Sequence, residues 1–435
     1  MHPRVLKRPE HPISRRQIDV IALKVLYRLI DAGFVAYLVG GAVRDLMLGR
    51  RPKDFDVGTT AHPEEVRALF RNSRLIGRRF PLVHVYFGGG RIIEVATFRA
   101  NPNSPVISSP GTAAPYDNSF GTAEQDAFRR DFTINALFYD PGTFCVLDYV
   151  SGLADLELGL LRTIGEPELR MREDPVRMVR AVRLAAKLGF AIEPELRAAI
   201  ETCRKLVLEA SPPRLVEEIH RMLAADGSAR ALQLMREMRL LEVLMPDWFA
   251  YLEQTPGAWD RAARNLQALE AARQSGAALS RPMILAALFA DCGIYEANGS
   301  SAHVPAIKGL TERGFSRAET SRTRLLLCAL WRFRTRRRLD RMARQAYYNE
   351  AKSLYELVAP TYGLDPTAPT GGRNSYAGGV ANRTQKERRT RRRRRSRRTR
   401  PSLGVRSSNG EAAHASGQVA ALCGPQTLVS PAPRS

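Results

Sequence analysis

The sequence predicts an α+β chain: a mixed-sheet domain at the N-terminus, an all-helical body behind it and a disordered basic tail. Residues 36–57 read as an apolar strand, a Gly-Gly turn, a short helix and a second strand. They run Leu38-Val-Gly-Gly-Ala-Val-Arg-Asp-Leu-Met-Leu-Gly49, then Asp54-Phe-Asp56. From Ser151 onward, apolar residues recur at helical spacing almost throughout. Beyond Pro369 the chain becomes Gly/Ser/Asn/Thr-rich and then carries eight arginines in ten residues, Arg391 to Arg400, a composition that forms no core. The expected divisions are a flexible leader over 1–16, the sheet domain over 17–150, a helical neck over 151–225, a helical body over 226–370 and the tail over 371–435.

Taken in order, Ile18 to Ala32 has helical spacing and stops at Gly33. Short strands follow at Ala36–Val39, Asp54–Val57, Arg74–Ile76, Leu82–Phe87 and Arg91–Phe98, with a helix over Pro63–Phe70. The last two strands flank Gly88-Gly-Gly90, a hairpin signature. Alternation in the second of them puts Glu94 on one definite face. If Asp54 and Asp56 share that face, Glu94 is a third carboxylate; otherwise it is a polar residue on an exposed surface. Asn101 to Gly121, rich in Pro, Ser, Asn and Gly, reads as a long mobile loop.

The helical part opens with Asp174-Pro-Val-Arg-Met-Val-Arg-Ala-Val-Arg-Leu-Ala-Ala-Lys-Leu-Gly189, read as an N-cap aspartate, a proline at the first helical position, an amphipathic run and a glycine stop. Residues 211–370 are helical by pattern, broken at Pro212-Pro213 and Met245-Pro246. Met283 to Phe289 is a continuous apolar run, expected to be core.

Composition narrows the partners. The chain carries +23 over 435 residues. Residues 371–435 hold 15 Lys/Arg against 2 Asp/Glu, so +10 remains on the rest, as a polyanion-binding surface requires. Five scattered cysteines (Cys145, Cys203, Cys292, Cys328, Cys423) show no metal-ligand spacing and point to a reducing compartment. No stretch approaches the roughly 20 apolar residues that span a bilayer, and the N-terminus lacks a secretory apolar region, so a cytoplasmic location and no membrane partner are expected.

Aspartates at i and i+2 of a strand project from one face. Glycines at a strand-to-helix turn let backbone N–H groups and a helix start approach phosphate. A carboxylate pair beside such a cradle suits Mg²⁺ on a triphosphate, and the combination implies nucleotide transfer from an NTP. Arg129-Arg130-Asp131 is either a surface charge cluster or a set that reaches the triphosphate and the metal. Asp174 and Arg177 are either a local pair on a capped helix or a reader of a base edge. In the second case the carboxylate accepts from an exocyclic amine while the guanidinium donates to the adjacent ring nitrogen. Adenine and cytosine both offer that pattern, and guanine and uracil reverse it. Arg332, Arg334, Arg336 and Arg337, interleaved with Trp331 and Phe333, are either a solvated helix face or an RNA-binding surface.

LVGGAVRDLMLGRRPKDFDV resembles the head motif of the polymerase-β-type nucleotidyltransferases that extend RNA 3′ ends, the bacterial poly(A) polymerases and class II CCA-adding enzymes. RRDFTINAL resembles the second signature of that family, and Glu173-Asp174-Pro-Val-Arg177-Met-Val-Arg180 its nucleotide-selecting motif. The resemblance is strong over about residues 11–225. It implies a polymerase-β-like head, Mg²⁺ (with Mn²⁺ as a substitute) on Asp54 and Asp56, and Asp131 as the third acidic catalytic position. It further implies that Gly40, Gly41, Arg44, Arg129 and Arg130 hold the triphosphate, and that Asp174, Arg177 and Arg180 bind the nucleotide. In the family's two-metal reaction, one ion activates the RNA 3′-hydroxyl for attack on the α-phosphate and the other stabilises pyrophosphate. The segment Arg71-Asn-Ser-Arg-Leu-Ile-Gly-Arg-Arg-Phe-Pro-Leu-Val-His-Val85, Ile13-Ser-Arg, Ala22–Arg28 and the Arg-rich extension resemble the poly(A) polymerase branch. The expected substrates are therefore ATP and RNA 3′ ends, with RNA-decay proteins, a helicase or nuclease, as partners. CCA addition to tRNA and a non-catalytic RNA-binding protein are the competing readings.

Overall fold

The computed structural model describes residues 3–77, 81–100, 120–296 and 305–367. An eight-stranded mixed sheet is built in the order β1 (Arg4–Leu6), β8 (Cys145–Asp148), β7 (Leu137–Asp140), β2 (Ala36–Val39), β3 (Asp56–Thr59), β6 (Arg91–Thr97), β5 (Leu82–Phe87), β4 (Ser73–Ile76). Neighbours are antiparallel except β3 and β6, which run parallel. Alternation divides the faces: Val83, Val85, Ile93 and Val95 are buried, while His84 and Glu94 project from the other side.

Helix α1 (Val20–Asp31) covers the apolar side. Asp19 caps it by accepting from the Ile21 N–H at 2.6 Å, and Ile21, Ala22, Val25, Leu26 and Leu29 form its buried stripe. Helices α2 (Gly41–Met47), α3 (Pro63–Leu69) and α4 (Ala123–Arg129) complete the head.

Residues 1–16 are not a flexible leader throughout. Arg4–Leu6 supplies the edge strand beside β8, with Arg4 opposite Asp148. The His11 Nε2–H donates to the Phe144 carbonyl at 2.9 Å, and Ile13 is fully buried. An open strand edge satisfied by three residues leaves almost no alternation for the sequence to reveal.

Asp54 does not lie on the strand: β3 starts at Asp56, opposite the last residue of β2, Val39, after which Gly40 turns β2 away with φ 72° and ψ −133°.

Asp148, 3 % exposed, closes the sheet and starts the helical part by accepting N–H bonds from Val150, Gly152 and Leu153. Helices α5 (Gly152–Leu158), α6 (Pro167–Glu173), α7 (Val176–Leu188), α8 (Pro194–Cys203) and α9 (Pro212–Leu223) follow. Asp174 does not cap α7. It ends α6, Pro175 takes the N-cap position, and the Asp174 carboxylate is engaged elsewhere. Pro212 and Pro246 both lie in the first turn of a helix, where a missing N–H costs nothing. Met283 to Leu288 is buried core, as its pattern predicts.

Among the described residues, no helix is long and apolar enough to cross a membrane. Cys145, Cys203 and Cys328 are unbridged thiols, and Cys423 lies outside the described residues.

The buried leader yields a direct expectation. Ile13→Ala should destabilise the head by about 2–4 kcal/mol, the usual cost of truncating a fully buried isoleucine, seen as a lower melting temperature. An unchanged melting temperature would mean that the leader does not pack on the sheet.

Candidate active site

The sheet register sets two carboxylates side by side: Asp56, in the first rung of β3, is directly opposite Glu94 of β6, while Asp54 precedes the strand and is exposed. Burial, then Glu94, then Asp54 push the Asp56 carboxyl up to about 6, against the pull of Arg130. Glu94 therefore shares the side of the sheet that carries Asp56.

Among the described residues, no three His, Cys, Asp or Glu side chains come together as a group that could hold a metal ion. Mg²⁺ does not need one: it retains several waters and takes one or two carboxylates together with substrate phosphates. Hard oxygen donors that repel one another fit that ion, which would relieve the charge crowding at Asp56.

The Gly-Gly turn lies against two arginines. A Cβ at Gly40 would be 3.0 Å from Arg130 Nη1, and one at Gly41 would be 3.5 Å from Arg44 Nη2. Arg130 is anchored by Asp126, through Nε at 3.1 Å and Nη2 at 2.9 Å, and donates through Nη1 to the Asn135 carbonyl. It is thus the cation that both abuts the turn and opposes the charge at Asp56. The half-buried Arg129 donates to the Ala100 carbonyl at 2.6 Å.

Arg44 departs from its expected place on a triphosphate. It is 4 % exposed, donates to Asp45 Oδ1 through Nε and Nη2 at 2.9 and 2.7 Å, and donates to the Asn135 side chain. A guanidinium on the inward face of α2 must be paired where it is buried, and here it fastens the turn to residue 135.

Asp131 and Arg180 meet across the head–neck junction. Arg180 of α7 donates to Asp131 Oδ2 at 2.9 Å, while Oδ1 accepts from the Phe132 N–H and the Asn135 amide. Burial alone would raise the Asp131 pKa, but Arg180 and these hydrogen bonds outweigh it and hold the carboxyl below its usual range. Arg180 also approaches Glu218 of α9 at 3.6 Å, and Glu218 binds Arg183. A second tie runs through Arg170, which donates to the carbonyls of Arg129 and Arg130 at 2.8 and 2.7 Å and pairs with Glu173.

Asp174 and Arg177 do not form a local pair. Arg214 of α9 binds both oxygens of Asp174, at 3.1 and 2.6 Å. Arg177 donates to Glu173 and to the Arg170 carbonyl, both through Nη1. Sequence reasoning missed Arg170, Arg214, Glu218 and Asn135. Of these only Asn135 carries a local signal, since it lies inside the RRDFTINAL segment.

The basic stretch divides. Phe333 is core and Arg332 bonds the Tyr347 hydroxyl. Arg334, Arg336 and Arg337 are exposed at the end of the helix Arg317–Thr335. Arg337 stands 5.8 Å from the Trp331 ring and Arg334 5.0 Å from that of Tyr295. The expected loop over residues 101–119, Arg78 to Phe80 and the Arg-rich tail lie outside the described residues.

Comparison with known proteins sets this geometry in context. The model of the poly(A) polymerase head domain matches residues 36–162. A second, for the probable RNA and SrmB-binding site of polymerase A, matches residues 189–252. Poly(A) polymerase I of Salmonella typhi is 50% identical over 259 residues, 58% of this chain and 56% of that protein. The CCA-adding enzyme of Lactobacillus helveticus is 39% identical over 225 residues, 52% of this chain and 55% of that protein. The chain thus spans a little over half the length of the curated relatives it matches. The crystal structure of the Bacillus stearothermophilus CCA-adding enzyme in complex with CTP superposes with a TM-score of 0.57 at 30% identity, covering 79% of this chain and 78% of that one.

The junction supplies a stability test. Asp131→Asn leaves Arg180 with a weakened partner and should cost about 3 kcal/mol near neutral pH, the scale for breaking a buried pair. Because its folded pKa is depressed, Asp131 contributes stability that is complete above its unfolded value of about 4 and is lost as pH falls through the folded value. Urea unfolding of wild type and variant from pH 7 to pH 3 should therefore show a flatter acid limb for the variant. Identical acid limbs would contradict the pairing.

Proposed function

Because the chain belongs to the nucleotidyltransferase family of poly(A) polymerases and CCA-adding enzymes, we propose that it adds AMP from ATP to RNA 3′ ends without a template, promoting RNA turnover. The observation that carries this reading is the Asp56–Glu94 carboxylate pair, with Asp54 two residues upstream, beside Arg130, which abuts the Gly-Gly turn. Asp54 and Asp56 would hold Mg²⁺, or Mn²⁺ in its place, with Glu94 as a third carboxylate. When bound, the metal would supply Lewis-acid activation of the RNA 3′-hydroxyl and charge stabilisation on the departing pyrophosphate.

The chain's own groups do the rest. The Gly40-Gly41 turn, Arg129 and Arg130 receive the triphosphate, and charge-assisted hydrogen bonds from Arg130 oppose its negative charge. Asp174 and Arg177 read the base, with adenine's amine donating to the carboxylate and its ring nitrogen accepting from the guanidinium. Asp131 and Arg180 act as positioning residues that hold neck against head. Arg334, Arg336 and Arg337 receive upstream RNA phosphates.

CCA addition uses the same base-reading logic and is favoured by the likeness to the CTP-bound CCA-adding enzyme. Poly(A) synthesis is preferred because identity to poly(A) polymerase I, 50%, exceeds that to the CCA-adding enzyme, 39%. RNA-decay proteins, a helicase or nuclease, are the partners this reading implies.

The test supplies ATP, CTP or both, with Mg²⁺, to the purified chain carrying an unstructured RNA or a tRNA lacking its CCA end. Long A-tracts on the unstructured RNA with little CTP use are expected. Addition that stops after CCA and needs both nucleotides would overturn the choice in favour of CCA addition. In the same assay Asp54→Ala and Asp56→Ala should abolish addition with RNA affinity nearly unchanged, and substantial residual activity would refute the metal assignment.

A further inference from the structure

The sheet face that carries Asp56 continues past the carboxylates to the strand edge. Along β5, His84 and Tyr86 alternate with the buried Val83 and Val85 and so share one side. Register sets Asp56 opposite Glu94, Glu94 opposite His84, and His84 opposite Arg74 of β4. In the adjoining row Tyr86 is opposite Ile92, which is 44 % exposed. Two bonds fasten the Tyr86 backbone. Its N–H donates to the Asn72 carbonyl, and the Asn72 amide donates to the Tyr86 carbonyl, each at 2.9 Å. The Tyr86 ring meets that of His84 edge to face at 6.2 Å, and the exposed Arg74 guanidinium stands 5.8 Å from it.

Charge changes sign across this face. Asp56 and Glu94 lie on β3 and β6, the aromatic pair on β5 and a guanidinium on β4. Two strand spacings, about 10 Å, separate Asp56 from His84. The last nucleotide of an RNA has the same order of parts. Its 3′ end carries a hydroxyl and no phosphate, its base offers a flat π-face, and its 5′ phosphate is an anion that an arginine opposes. Aromatic side chains on an open sheet face are a common platform for single-stranded RNA bases, and they stack any base. An aromatic residue alone on such a strand would be ordinary sheet packing. Here the ring, the guanidinium and the open apolar neighbour Ile92 occur together, one strand beyond Glu94.

We propose that Tyr86, flanked by His84 and Arg74, is the platform on which the last base of the RNA stacks. Arg74 opposes the 5′ phosphate of that nucleotide, and its 3′-hydroxyl is directed toward Glu94 and Asp56. The proposal rests on the RNA-extension reading above and gives the RNA end its own site on the head. The two carboxylates disfavour a 3′-phosphate in the same place.

The test uses the full chain and an oligouridylate ending in 2-aminopurine, whose fluorescence is quenched by stacking, with affinity read from the anisotropy of a 5′ dye. Wild type and Tyr86→Phe should quench the probe. Tyr86→Ala should not, and should bind roughly tenfold more weakly, the scale for losing one stacked base. Arg74→Ala should lower the slope of log affinity against log salt by about one. A 3′-phosphate on the probe should weaken binding to wild type, and equal binding would refute the orientation. In the extension assay Tyr86→Ala should raise KM for RNA and leave KM for ATP nearly unchanged. If Tyr86→Ala quenches and binds the probe like wild type, the platform is refuted even where wild type extends RNA. If KM for ATP rises as much as KM for RNA, Tyr86 serves the nucleotide pocket and the proposal is overturned. If wild type adds no nucleotide yet quenches the probe through Tyr86, the stacking surface stands and the RNA-extension reading fails.

Discussion

Asp56 carries a carboxylate in a half-buried rung of the sheet with a second carboxylate directly beside it, and the surrounding structure answers that charge. β2 ends at Val39, opposite Asp56, the first residue of β3. The turn at Gly40 lets Arg130 come within reach of both the backbone and the carboxylate, and Asp126 holds Arg130 there. Burial first, then Glu94, holds the Asp56 carboxyl up at about 6. On the proposed reading a divalent cation would complete the balance, and a negatively charged triphosphate would follow the cation and Arg130.

The same accounting explains why so basic a chain does not present all its arginines to RNA. Arg44, Arg170, Arg180 and Arg183 are engaged within the head, the neck or the junction between them, each with a carboxylate or carbonyl partner. Arg261 in the body is held by the buried Asp291 at 2.6 Å. These pairs fix the angle at which α7 meets the head, and with it the place of Asp174 and Arg177. Positive charge in this chain is therefore divided between internal fastening and exposed surface, and composition alone does not separate the two.

What the sequence revealed follows the range of the interactions. The strand, Gly-Gly turn, helix and aspartates within residues 36–57 are local patterns, and the structure contains each of them, with Asp54 shifted off the strand. The alternation around Glu94 defined its face but left open whether Asp56 shared it, because register between strands is not a local property. Asp131 and Asp174 were read against near neighbours, yet their partners Arg180 and Arg214 lie 49 and 40 residues away, and Arg44, placed on a triphosphate by the family resemblance, bonds Asn135 91 residues away. The leader was misread for the opposite reason: three residues pairing with a distant edge carry too short a pattern to detect.

The central claim is that this carboxylate group is a metal site serving nucleotide transfer. The most direct measurement is a crystal structure of the chain with Mn²⁺ and a non-reactive ATP analogue, with the anomalous signal of manganese located independently of the protein density. The account predicts a peak between Asp54 and Asp56, next to Glu94, with the triphosphate running from it toward Gly40 and Arg130. A triphosphate bound elsewhere, or manganese absent from these aspartates while the analogue is present, would contradict it.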